Sequence, residues 1–397
     1  MGFVYDVRCE KCLVVDGTCW IIPTQFNALC TMDIDTGAVR IVEWGLGGEP
    51  GFAGMRYMLA GAFKHKLIIM PEYGSKVLVY DTICSKFEEY PISIPELGMD
   101  FEDGKDIKFR NAVVTDDAVW LTPLSAKHII KYDPVRKSIT DYTAWENAVK
   151  EYSFVGSPQF GNGVVVGKSL WMTCFQTNAL LEFDMVKGNA KMHHVGLVHN
   201  RFTVMTYCDE KFWLLDNKNQ ELVVWLPGKG IIWRHDNFPD NYGVDPVYGE
   251  KNDYNIASLY AVDGGLIGIP CWGNSFIYID RKTGLISKLV AKNPGSSYLY
   301  ATQLHTGKII TPSQTDNKFL LYDFINGNIT YVEPKFNPEE LFPYTNMFYE
   351  CKEMDLLSML KNMDYYKSVL NDKTSRKISF LSGRRIYQYM GENKVVY

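Results

Sequence analysis

Three places in the chain carry residues suited to chemistry, and none makes a complete site by itself. Near the start, Cys9 and Cys12 in "CEKC" have the spacing of half a zinc site or of a redox dithiol. A zinc site needs a second pair, which the sequence lacks, and a thioredoxin-like dithiol needs a strand–helix–strand setting that is missing. Further on, "MHHVGLVHNRF" gathers His193, His194 and His199 beside Arg201. On a strand His193 and His194 point to opposite faces, which leaves His199 as the one acid–base candidate. The third place is "HDNFPDNYGVDPVYGEKNDYN", where Asp236, Asp240, Asp245, Glu250 and Asp253 supply oxygens of the kind Ca²⁺ takes. Asp240, Asp245 and Glu250 are its metal candidates, although the spacing matches no EF-hand and a solvated loop has the same composition. No Gly-rich phosphate cradle, nucleophile elbow or HExxH is present. No cofactor is predicted, and a divalent cation is the one left open.

The elements that must position these residues are copies of one unit. A short strand ends at an anchor, Pro23, Pro71, Pro123, Cys174, Asp216, Pro270 or Pro312. Three residues earlier stand Trp20, Ile68, Trp120, Trp171, Trp213, Ile267 and Ile309. Ten residues after the anchor come Asp33, Asp81, Asp133, Asp184, Leu226 and Asp280, with Asp323 one place late. Four further on are Gly37, Gly188, Gly230, Gly284 and Gly327, with Ser85 and Lys137 in the remaining copies. Each unit reads as four short strands, A to D. Asp16-Gly17 and Asp263-Gly264 suit the A–B hairpin, the anchor closes B, and a turn with positive φ joins C to D. Seven such units closing radially predict an all-β fold: a seven-bladed β-propeller of four-stranded blades over residues 1–335. The blades are expected to start near 12, 57, 110, 162, 202, 256 and 298. The tryptophans and turn aspartates are expected to be packing devices between blades.

The blade signatures of WD40 and kelch propellers are missing. The stretch "VWLTPLSAKHIIKYDPVRKSITDY" resembles blades of the streptogramin-lyase-like and two-component-regulator propellers, and "MDIDTGAVRIVEW" is also similar to a quinoprotein-type blade. The resemblance spans roughly residues 10–335 and implies the fold. It also implies a metal-assisted His and Glu constellation in the lyases, which matches no positions of this sequence.

Propellers bind ligands over one mouth, on the D–A and B–C loops. Just past the anchor the B–C loops carry Tyr73, Phe175, Gln176, Trp272 and Gln314, and fifteen residues before it lie Arg8, Arg56, Lys108, Arg201 and Asn255. If both sets ring one mouth, aromatic faces, amides and cations meet there, a combination suited to a carbohydrate or a small anionic metabolite. Taken singly, each is an ordinary loop residue. The long loop holding Asp240 is expected to pack over that mouth as a lid.

With 397 residues, 46% hydrophobic, the chain can bury a large core, and its net charge of −5 gives no reason to expect nucleic acid. No stretch is long and apolar enough for a membrane span. Nine scattered cysteines and a polar start suggest a cytoplasmic protein. After residue 335 the pattern changes to a short, mainly helical C-terminal extension, 336–397. There an amphipathic helix over 353–370 aligns Leu356, Met359, Leu360, Met363, Tyr366 and Leu370. The reading is a non-catalytic propeller binding a small polar ligand or a partner at the channel mouth. The alternatives are a metal-assisted lyase or hydrolase at that mouth, and a protein-interaction scaffold using the tail.

Overall fold

The computed structural model describes residues 7–49, 56–92, 109–124, 128–143, 145–149, 159–175, 177–244, 255–291, 296–304, 307–324 and 326–336. Lys108, Gln176, Asp245, Glu250 and the C-terminal helix expected at 353–370 lie outside them.

Seven antiparallel sheets follow one another along the chain, each ordered A-B-C-D. The A strands begin at Cys12, Tyr57, Phe109, Phe160, Phe202, Ile256 and Thr302. They pack against one another from blade 1 through blade 6, blades 6 and 7 share a core cluster, and the A strand of blade 1 meets that of blade 7, so the ring closes. The chain is a seven-bladed β-propeller. Closure is completed outside blade 1, where Lys335–Phe336 pairs in parallel with Ala38 and Val39. The Lys335 N–H donates to the Gly37 carbonyl at 2.8 Å. Gly37 is needed there twice over: its φ is +75°, and a Cβ would lie 2.2 Å from the Glu333 carbonyl oxygen.

The core is divided among the blade interfaces. Strands B and C are buried on both faces, as in Lys66–Pro71 and Lys76–Asp81, because each face meets a neighbouring blade; this explains their unbroken apolar runs. Strand D is outermost and alternates more, as in Ala38–Trp44. Trp20 packs on Tyr80 of blade 2, with ring centroids 5.4 Å apart, and Trp120 on Phe183 of blade 4 at 5.9 Å. Trp171 reaches Phe212 of blade 5, and Trp213 joins the blade 6 cluster around Ile277 and Ile279. Burying each such side chain stabilises the ring by about 2–3 kcal/mol.

The turn aspartates work differently from the expectation. They cap their own C–D turns: Asp184 Oδ1 accepts the N–H of Val186 and of Lys187, each at 2.9 Å. Asp33, Asp81, Asp133 and Asp280 do the same. These bonds from turn N–H groups hold all five carboxyls below the ordinary aspartate value. The residue four places on has positive φ in every blade, including Ser85 at 54° and Lys137 at 52°.

Strand register corrects the reading of blade 7. In the first six blades the residue four before the anchor faces the one nine after it, as Leu67 faces Tyr80 and Leu266 faces Ile279. In blade 7 that pair is Ile309 and Tyr322, which makes Ser313 the anchor and removes the one-place displacement. The extra residue belongs to the A–B turn. Accordingly Ile310, not Ile309, faces blade 1.

Candidate ligand site at the channel mouth

The B–C and D–A loops share one end of the ring because backbone hydrogen bonds join them. The N–H just past the anchor donates to the carbonyl at the start of strand A. Thr24 bonds Arg8 at 2.7 Å, Glu72 bonds Arg56 at 3.0 Å, and Phe175 bonds Gln159 at 3.0 Å. Cys271 bonds Asn255 at 2.9 Å, and Gln314 bonds Ser297 at 2.8 Å. The two sets of rim residues therefore meet.

Several rim side chains hold loops in place. Arg56 Nε donates to Glu49 Oε2 at 2.6 Å and its Nη2 to the Tyr73 carbonyl at 3.3 Å. Arg201 Nη1 donates to the carbonyls of Val198 and Asn200, at 2.7 and 2.8 Å. The Arg8 N–H donates to Gln25 Oε1. Asn255 is buried, with its amide against Gly243, and neither amide atom meets a hydrogen-bond partner among the described residues. Tyr73, Trp272 and Gln314 are half-buried. Trp272 packs on the cluster containing Cys271, Leu299 and Tyr300.

A cavity of about 220 Å³ opens where the inner strands converge. Asn111, Asn162, Ala257 and Tyr300 line it, from the inner strands of blades 3, 4 and 6 and from the segment leading into that of blade 7. Residues of four blades meet only around the axis. Phe160 and Phe175 add aromatic walls. The Asn111 amide donates to Asn162 Oδ1 at 3.2 Å, and the Asn162 amide to the Ala257 carbonyl at 3.4 Å. Lys11 places its ammonium 5.6 Å from the Tyr300 ring centroid and donates to the Ala60 carbonyl at 2.5 Å. Burial holds that ammonium down to about 8.

Of the sequence candidates, the structure brings Phe175 to the cavity and Trp272 to the cluster beside it. The sequence reading missed Lys11, Asn111, Asn162 and Tyr300. The signal was present: twelve residues before the anchor, three further along than the position read, stand Lys11, Asn111, Asn162 and Ser258. Tyr300 takes the same place before Pro312.

The other candidates lie apart. His199 is exposed in its loop, and so is Asp240. Among the described residues no three His, Cys, Asp or Glu side chains converge to hold a metal ion. His193 Nε2 donates to Glu182 Oε2 at 2.7 Å and its ring packs on Trp171, away from the axis. Cys9 and Cys12 are buried with Cys19 and Cys30 between blades 7 and 1; burial pushes the Cys9 thiol up, away from reactivity. The described half of the long loop is pinned inward: Tyr242 is buried between blades 5 and 6, and its carbonyl accepts the Gln220 amide at 2.5 Å. A larger open groove of about 500 Å³ lies near the C–D turns between blades 7 and 1, lined by Thr36, Asp323, Tyr331 and Glu333.

Fold and site together define a seven-bladed propeller with an uncharged cavity at its axial mouth. No family model matches the chain, and no curated protein matches it. Among solved structures it is similar to a catalytically inactive virginiamycin B lyase from Staphylococcus aureus with quinupristin. The TM-score there is 0.56 at 13% identity, covering 78% of this chain and 93% of that one. A streptogramin B lyase gives a TM-score of 0.54 at 13% identity, with 78% and 92% covered. The extracellular domain of a hybrid two-component system from B. thetaiotaomicron gives 0.52 at 12% identity, covering 81% of this chain and 38% of that one. In fold the chain is a streptogramin-lyase-like propeller, and at these identities the likeness is one of fold. No helix among the described residues is long and apolar enough to cross a membrane.

Proposed function

We propose that this chain is a non-catalytic propeller that holds a small polar ligand in the axial cavity. One observation carries the reading: amides from blades 3 and 4 and aromatic rings from blades 4 and 7 surround a single space of about 220 Å³. Apolar walls with a few convergent polar groups are the usual composition of a small-molecule site. The volume equals roughly seven waters of liquid, so the ligand, or the part of it that enters, is small. We place the protein in a reducing compartment such as the cytoplasm, a reading supported by the eight described cysteines, all free thiols.

The test is to purify the protein under gentle conditions, denature it and identify released small molecules by mass spectrometry, beside Phe175→Ala treated identically. A compound retained by the wild type and lost from the folded variant supports the reading. Equal retention by both defeats it. A tightly held divalent ion, with activity lost on chelation, would transfer the assignment to the lyase class.

A further inference from the structure

Resting on that cavity as the binding site, we infer that its ligand is an uncharged sugar of pyranose size rather than an anionic metabolite. Electrostatics decides between the two. None of the residues lining the cavity carries a formal charge. Two rim cations that would have drawn an anion are already engaged: Arg56 pairs with Glu49, and Arg201 is bound to two loop carbonyls. Lys11 is not among the residues lining the cavity; its ammonium donates to the Ala60 carbonyl and lies over the Tyr300 ring. A carboxylate or phosphate entering this space would lose its hydration without gaining a partner of opposite charge.

What the cavity offers instead matches a polyol. Asn111 Oδ1 accepts the Ala112 N–H and its amide uses one N–H on Asn162; the second N–H is left for a ligand. Asn162 likewise uses one N–H on Ala257 and keeps the other, along with a lone pair on Oδ1. Neighbouring hydroxyls both donate and accept, so they can satisfy this mixed set, whereas an ionised carboxylate group can only accept. Phe175 and Tyr300 supply flat apolar faces for the C–H side of a sugar ring. The volume suits one ring and no more.

Ligand-observed NMR on the full chain provides the test. The probes are glucose, galactose and N-acetylglucosamine, with glucuronate, glucose 6-phosphate and adenosine as competitors of other classes. The expected result is binding of at least one neutral sugar, insensitive to salt, with its charged counterpart weaker by about tenfold or more. Phe175→Ala should abolish it and Asn162→Leu weaken it about tenfold, both with folding checked by thermal melts. Asn111→Ser serves if Asn162→Leu fails to fold. Preference for glucuronate or glucose 6-phosphate, or for adenosine, with loss in Phe175→Ala overturns the sugar assignment and leaves the cavity as the site. If no probe binds, and Phe175→Ala also releases the same contents as wild type, both readings fall.

Discussion

Gly161 gives Phe175 its place at the cavity: a Cβ on Gly161 would lie 2.4 Å from Phe175 Cε1 and 2.8 Å from the Thr203 carbonyl oxygen. The ring could swing away, but the carbonyl belongs to a neighbouring inner segment and cannot. Gly161→Ala should therefore destabilise the fold by about 1–3 kcal/mol and displace the ring from the cavity. Urea denaturation and the ligand-release assay together measure this, and an unchanged midpoint with unchanged contents would contradict it.

Two tryptophans should separate scaffold from site. Trp120 is 2% exposed and sits between blades 3 and 4. Its replacement by Ala should cost about 3–5 kcal/mol. Trp272 is half-buried beside the mouth, so Trp272→Ala should cost about 1 kcal/mol or less while reducing ligand retention. The reverse order of stabilities in a denaturation series would contradict this assignment.

Turn conformation makes a pair of opposite predictions. Gly188 has φ +71°, and Gly188→Ala should lose about 1–2 kcal/mol. Asp209 and Glu210 form a two-residue A–B turn in blade 5 with φ of 50° and 59° and no glycine. Glu210→Gly should gain about 0.5–1 kcal/mol there, read as a higher melting temperature.

Lys11 predicts a pH dependence. The folded chain releases this proton near 8, whereas the unfolded chain holds it to the ordinary 10.5. Between those values the unfolded state binds more protons, so this residue makes folding more favourable as pH rises. Lys11→Met should melt higher than wild type near neutral pH, with the gap closing toward pH 10. A gap that stays constant across that range would show that the ammonium is not responsible.

Acid should act in the opposite sense through the turn aspartates. Asp33, Asp81, Asp133, Asp184 and Asp280 all lie below the ordinary 3.8 because turn N–H groups bond them. Their stabilisation is present above 3.8 and is lost as pH falls through the lowered values. Asp184→Asn keeps an acceptor without the titrating charge, so its melting temperature should fall less than that of wild type on acidification below pH 4.

Much of this protein was determined by sequence alone. A Trp or Ile three residues before an anchor and a positive-φ residue fourteen after it recur seven times, and an Asp ten after it six times with Leu226 in blade 5, because each blade must bury both faces and turn tightly at the same place. Local chemistry fixes those positions, so they can be read without coordinates. The rim was harder. Arg56 and Arg201 looked available to a ligand, but their engagement by Glu49 and by the Val198 and Asn200 carbonyls depends on loop paths that spacing does not encode. Tyr300 stands twelve residues before Pro312, in step with Asn111 and Asn162, and was missed because the rim was read three positions earlier. Only ring closure brings Asn111, Asn162, Ala257 and Tyr300 to one space. They are distant along the chain and meet because innermost strands converge on an axis, a long-range consequence of packing that no local pattern contains.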